Sequence, residues 1–184
     1  YKIEEVRVMD SVPSYYQPGV DPRYTEAVVF LQKRGYEKEG ENVNMGLLLE
    51  EKKIFPRVEI SGDVNVRRGR KEDWPKVRSW LKKYFPLWLY EAEIAFQRNP
   101  VRAYLASSGK QVVGLSCYDV TAPGWFGPIG IDVNFRKMYI GKKLLLLCLE
   151  EMKRRGYRKV VIPWTTSFDF YLRSCGARIE RVFW

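Results

Sequence analysis

The chain has 184 residues, 46% of them hydrophobic, enough for one domain of about 150 residues or one domain and a fragment. It contains no histidine, which excludes His-based triads and the common zinc patterns, and no apolar run approaches the ~18 residues of a membrane span. A net charge of +10 favours anionic partners: an anionic cofactor, nucleic acid or an acidic protein face. Proton transfer must then use Asp, Glu, Tyr, Cys, Lys or water. Cys117, Cys148 and Cys175 are odd in number and sit in apolar contexts, so they read as reduced core residues of a cytoplasmic protein and not as a metal set. No secretory signal pattern opens the chain. It begins with Tyr rather than Met, as a processed or truncated chain would, and the sequence leaves open whether an N-terminal portion is missing.

In chain order, residues 1–12 alternate like a strand around Ile3, Val6 and Val8, and a turn-rich stretch follows. Asp21-Pro22 reads as a helix start, with Asp as N-cap. Tyr24, Ala27, Val28 and Leu31 give one helical face, Gly35 ends the helix, and MGLLLE is a short strand. Residues 53–63 are charged, carry Pro56 and Gly62, and are taken as a linker between 1–52 and 64–184. Beyond it, VNVRRG is a strand. Asp73 is expected to cap a helix with face Trp74, Val77, Leu81 and Tyr84. PLWLYEAEIAF is a second helix, stopped by Asn99-Pro100. Residues 102–120 read as a hairpin with Ser108-Gly109-Lys110 at its turn. The strand WFGPIGI, a helix, the strand KVVIPWT, the helix SFDFYLRSC, Gly176 and the strand ARIERVFW complete the order β-α-α-β-β-β-α-β-α-β.

The most informative stretch is Gly127 to Glu151. A strand ends near Ile131, a basic turn follows, and Ile140, Leu144, Leu147, Cys148 and Met152 fall at helical spacing. Nine Lys or Arg lie between Arg136 and Lys159. Five (Lys153, Arg154, Arg155, Arg158 and Lys159) sit at or beyond the helix C-terminus, where the dipole favours cations. Arg136, Lys137, Lys142 and Lys143 sit at its start, against the dipole, and point to an anion held by free backbone N–H groups. A solvated basic face over a core helix is the bland alternative.

Strand, then Arg136 and Gly141 spaced as R-x-x-x-x-G, then an apolar helix resembles the pyrophosphate loop of the GNAT superfamily of acyl-CoA-dependent N-acyltransferases. The usual pattern is Arg or Gln, two residues, Gly, one residue, Gly or Ala. Tyr139 stands in place of the first Gly, and the expectation there is weakened or lost acyl-CoA affinity. The element order over about 120 residues is also that of the family. The resemblance implies a mixed α/β (α+β) fold with a central, mostly antiparallel, splayed sheet flanked by helices. Residues 13–50 resemble the last third of such a domain in tandem proteins. They imply a partial second GNAT-like unit, with 1–52 its incomplete C-terminal part, ahead of an acetyltransferase domain at 64–184.

By resemblance, acetyl-CoA is the co-substrate, with no metal. Backbone groups of Ile129 and Ile131 would pair with its pantetheine arm. Arg136, Lys137, Met138, Tyr139, Ile140, Gly141 and Lys142 would hold its pyrophosphate. Tyr171, in DFYLRSCGA, matches a family position whose Tyr protonates the departing thiolate; a core tyrosine is the alternative. Asp132 is the first choice of base for the amine proton, ahead of Asp119, Glu91 and Glu93. Tyr118, Trp125, Trp164 and Tyr90 would flank an acceptor cleft. The function implied is transfer of an acetyl group to an unidentified primary amine. The alternatives are a degenerate, inactive domain used for regulation or assembly, and nucleic-acid binding through Arg67-Arg68-Gly69-Arg70-Lys71. An open sheet edge would suit a homodimer.

Overall fold

The computed structural model describes residues 5–8, 18–50 and 55–184. Ile3, the turn residues 11–17 and residues 53–54 of the expected linker lie outside them; Val6 and Val8 are exposed and not in a strand. The elements are α1 (Thr25–Gln32), β1 (Asn42–Leu48), β2 (Asn65–Arg68), α2 (Trp74–Tyr84), α3 (Leu89–Gln97), β3 (Ala103–Ser108), β4 (Gln111–Tyr118), β5 (Phe126–Ile131), α4 (Ile140–Arg154), β6 (Lys159–Ile162), α5 (Phe168–Cys175) and β7 (Arg178–Phe183). From β2 onward this is the order read from the sequence. Among the described residues no helix is long and apolar enough to cross a membrane.

Two helix starts differ from expectation for one reason: a nearby guanidinium competes for the carboxylate. Asp21 accepts from the Arg23 backbone N–H at 3.0 Å and pairs with the Arg23 side chain, so α1 begins later, after Tyr24. Asp73 takes two bonds from Arg67, both 2.7 Å, and the Arg70 backbone N–H at 2.8 Å. It therefore ties down a 3-10 turn at 71–73 rather than capping α2.

The strands form a four-stranded antiparallel sheet, β2-β3-β4-β5, and a three-stranded antiparallel sheet, β6-β1-β7. The period of two along β3 sends Ala103 and Leu105 to one face and Tyr104 and Ala106 to the other. The first face packs on Val77, Leu81, Ala92 and Phe96 of α2 and α3. The second packs on α4, whose Ile140 and Leu144 meet Ala106 and Val113. Further along α4, Leu145, Leu149 and Met152 meet Val43, Met45 and Leu47 of β1 and Val160 and Ile162 of β6. One helix thus supports both sheets. Its buried arc is wider than a single stripe, and takes in Leu145, Leu146 and Leu149 while Leu147 is only half-buried. Replacing any of its fully buried leucines by Ala costs about 2–5 kcal/mol.

β1 lies between two strands more than a hundred positions later in the chain, with Met45 opposite both Ile162 and Ile179. Gly46 has a physical reason to be glycine. The ion pair between Lys159 of β6 and Glu180 of β7 (2.7 Å) crosses its backbone, and a Cβ there would strike the Glu180 carboxylate.

Candidate functional site

The two sheets meet at one parallel bridge, Trp125 to Val161, where the Val161 N–H donates to the Gly124 carbonyl at 3.0 Å. Beyond it β5 and β6 part. The Asp132 N–H donates to Val113 of β4, so Gly130 also faces β4 on the alternation of an antiparallel strand. By the same alternation the N–H and C=O groups of Ile129 and Ile131 face the opening. Ile129 lines it, and the Ile131 side chain packs in the cluster that contains Ile140.

At the open end of β5 the chain turns into α4. Gly141 sits in its first turn, and a Cβ there would meet Ile131 and Phe170 at an ordinary 3.6 Å. The helix start therefore lies between the end of β5 and α5. Arg136 and Lys137 are exposed, and Lys142 and Lys143 half-buried. Among the described residues, none of the four pairs with a carboxylate. Met138 closes the turn from beneath, near Gly62 and Ile60, and Ile140 is fully buried as its anchor.

Tyr139 adopts the left-handed conformation, φ 61° and ψ 6°, and is 62% exposed. Lys137 also has a positive φ of 63°. The loop thus keeps a backbone that glycine adopts freely, at a cost of roughly 1–2 kcal/mol per non-glycine residue.

The opening between β5 and β6 leads to a cleft of ≈ 480 Å³. Tyr171 lines it from α5, in contact with Phe126 and Phe170. Burial raises its phenol above the ordinary value, and Thr165 beside it works the other way. Trp164 lines the cleft with φ +50°, its backbone N–H donating to Asn44 Oδ1 of β1 at 3.1 Å. The Thr165 N–H donates to the Val43 carbonyl at 2.9 Å. β1 therefore fixes one wall. Glu91 of α3 lines the opposite side and accepts from Thr121 Oγ1 at 2.9 Å; burial raises its carboxyl above the ordinary value, and Thr121 opposes that.

The structure thus brings Tyr171 and Ile129 into one cleft and places residues 136–142 at the helix start beyond it. Asp132 is elsewhere: it is 2% exposed, its Oδ1 accepts from the Asn134 N–H at 3.0 Å, and it holds the turn out of β5. Asp119 is equally occupied, accepting from the Gly124 N–H at 2.8 Å and from Arg102. Of the four aromatics expected at an acceptor cleft, Trp164 lines it, Tyr118 is buried and accepts from Arg68, Tyr90 is exposed and Trp125 packs on Trp164. Trp88 and Phe126 line it instead. Sequence reasoning missed the pairing of Glu91 with Thr121, because neither spacing nor periodicity links α3 to the loop after β4.

The profile of the acetyltransferase (GNAT) family matches residues 65–177. No curated protein sequence matches. Among solved structures, the chain is similar to a GCN5-related glucosamine N-acetyltransferase region of a fungal multi-domain GH3 β-N-acetylglucosaminidase, with TM-score 0.74 and 15% identity, over 94% of this chain and 24% of that one. It is similar to a GCN5-related N-acetyltransferase from Sphaerobacter thermophilus, with TM-score 0.72 and 20% identity, over 89% and 56%. An aminoglycoside N-acetyltransferase in complex with CoA gives TM-score 0.54 and 15% identity, over 70% and 97%. The chain spans about a quarter and just over half of the first two. At these identities the likeness is one of fold: mixed α/β, antiparallel sheets and flanking helices.

Proposed function

The chain belongs to the acetyltransferase (GNAT) family, and on that footing we propose that it moves an acetyl group from acetyl-CoA to a primary amine by direct attack. The observation that carries this reading is the parting of β5 from β6, which leads from a cleft holding Tyr171 to a helix start with four cations that pair with no described carboxylate.

The residues suit their parts. The open backbone groups of Ile129 and Ile131 can pair with the amides of a pantetheine arm. The N–H groups at the start of α4 have no partner within the helix, and a pyrophosphate between them and Arg136, Lys137 and Lys142 satisfies both dipole and charge. Met138 and Ile140 hold that turn in shape. Gly141 has room for a methyl group, in line with the Gly or Ala of the family pattern. Tyr139, already left-handed and exposed, leaves the loop backbone able to approach a phosphate. This favours a working site over a degenerate one. Tyr171 stays protonated across the neutral range, as a donor to the leaving thiolate must.

The basic run at 67–71 is partly consumed inside the fold. Arg67 pairs with Asp73, and Arg68 reaches Glu151, Tyr104 and Tyr118. That leaves Arg70 and Lys71 exposed, a small footprint for nucleic acid.

Residues 1–52 are further read as the C-terminal part of a second, incomplete GNAT-like unit. The α1–Gly35–β1 order parallels α5–Gly176–β7, and both glycines are left-handed, φ 80° and 78°. The edges at β2 and β7 offer unpaired backbone for a homodimer.

Thermal unfolding with acetyl-CoA, with ADP and desulfo-CoA as controls, tests the co-substrate. At about 100 times Kd the ligand stabilises by roughly 2.7 kcal/mol, on the order of 5–10 °C for this size. No shift at millimolar acetyl-CoA contradicts the reading.

A further inference from the structure

We propose that Glu91 is the acceptor-side carboxylate of the cleft: it receives the ammonium of a cationic primary amine and takes its proton. This rests on the acyl-transfer reading above.

Glu91 stands out for what it does not pair with. The chain carries 32 Lys and Arg against 22 Asp and Glu. Asp73 has Arg67, Asp119 has Arg102, and Glu151 has Arg68, Arg154 and Arg155; Asp132, buried and likewise without an ion pair, accepts from the Asn134 N–H and does not line the cleft. Among the described residues Glu91 has no Lys or Arg. Its partner is the Thr121 hydroxyl, which fixes one carboxylate oxygen and leaves the other free. A carboxylate left without a cation in a chain so rich in them is open to a cation from outside. A purely structural role, as an acidic residue in the first turn of α3, explains its place in the sequence but not its place in a cleft.

The surroundings suit a cation. Glu91 and Tyr171 line the same cleft, together with Trp88, Phe126 and Trp164. Aromatic faces attract an ammonium and exclude water from it. Burial raises the Glu91 carboxyl, bringing its proton affinity closer to that needed of a base near neutral pH.

The protons balance as follows. The acceptor enters as R–NH3+, and Glu91 takes one proton, giving R–NH2 and a neutral carboxylic acid. The amine nitrogen attacks the thioester carbonyl, and a C–N bond forms. As the C–S bond breaks, the sulfur takes the Tyr171 phenolic proton, and the second proton lost by the nitrogen returns to the tyrosine. The products are the amide and free thiol, and Glu91 releases its proton to solvent.

The test uses Glu91→Gln, which keeps an oxygen for Thr121, with Glu93→Gln as control on the exposed side of α3. Calorimetry at pH 7.5 titrates 1,4-diaminobutane and glucosamine, with and without CoA, and acetyl-CoA separately. The expected result is that wild type binds at least one amine. E91Q should bind it at least tenfold more weakly, keep its acetyl-CoA affinity within twofold, and unfold at no lower temperature. A carboxyl raised on folding favours the fold when protonated and opposes it as pH rises through the raised value, so removing the charge lifts that penalty. Turnover of the bound amine should fall at least 100-fold in E91Q, and the acid limb of the wild-type pH profile should vanish. Intact acetyl-CoA binding with equal amine affinity in E91Q, or no binding of either amine by wild type, overturns the assignment of Glu91. Failure of wild type to bind acetyl-CoA overturns acyl transfer instead, and with it the proton role.

Discussion

The two ends of α4 carry cations in similar number and use them in opposite ways. At its C-terminal end Arg154 and Arg155 pair with Glu151 at 2.7 and 3.0 Å, Arg158 with Glu50 at 2.7 Å and Lys159 with Glu180 at 2.7 Å. Glu151 is 5% exposed and also takes Arg68 from β2 at 2.8 Å. There the charges agree with the helix dipole; three arginines gather on the buried Glu151, while the Arg158 and Lys159 pairs lie nearer the surface. At the N-terminal end Arg136, Lys137, Lys142 and Lys143 oppose the dipole and pair with no described carboxylate. Cations at one end hold the fold together; cations at the other cost the fold some stability until an anion arrives.

The largest effect that separates the ends is expected at Glu151. Burial alone would raise its carboxyl, yet Arg154, Arg68 and Arg155 hold it below the ordinary value. Its folded value is thus lower than its unfolded one. Its contribution is present above the ordinary carboxylate range and lost as pH falls through the lowered value. Glu151→Gln should lower stability by about 3 kcal/mol at pH 7, measured by urea unfolding, with a smaller difference from wild type below pH 4. Its acetyl-CoA affinity should not change.

Next in size is Arg136→Glu with Lys137→Glu, which should weaken acetyl-CoA by on the order of 100-fold in calorimetry, since bonds to charged groups contribute about 1.5–3 kcal/mol each. Its melting temperature without ligand should stay within about 2 °C of wild type. Equal weakening by Arg158→Glu, at the other end, would erase the distinction.

A smaller effect belongs to β1. Asn44→Leu removes the acceptor of the Trp164 N–H and should cost about 1–3 kcal/mol. It should also weaken amine acceptors more than acetyl-CoA, because it loosens the cleft wall and not the helix start. Tyr139→Gly should change acetyl-CoA affinity least, within about threefold, because the loop already has its left-handed backbone. A loss beyond tenfold would mean that the ring itself touches the ligand.

How much of this could be read from the residues depends on separation along the chain. The elements from β2 to β7 were legible because period and punctuation are local. The helix start was legible because four cations against the dipole lie within eight positions of one another. The place of β1 was not, because Asn44 and Trp164 are 120 residues apart and no local signal links them. Glu91 and Thr121, 30 apart, were hidden in the same way. Asp21 and Asp73 misled because cap preference is a weak local term, and a guanidinium within a few residues outweighs it. On α4, Leu147 read as core and Leu145 did not, because one stripe was assumed where two sheets press on the helix.

The most direct test of the difference between the ends is thermal unfolding of Lys142→Glu with and without acetyl-CoA. Lys142 is in the first turn of α4. Replacing it with an acid should stabilise the ligand-free protein by about 0.3–1 kcal/mol through the dipole, a rise of roughly 1–4 °C. The same change should reduce the stabilisation given by acetyl-CoA to less than half that of wild type. A ligand-free protein that is less stable, with its response to acetyl-CoA intact, would contradict the claim that the start of α4 is kept for an anion.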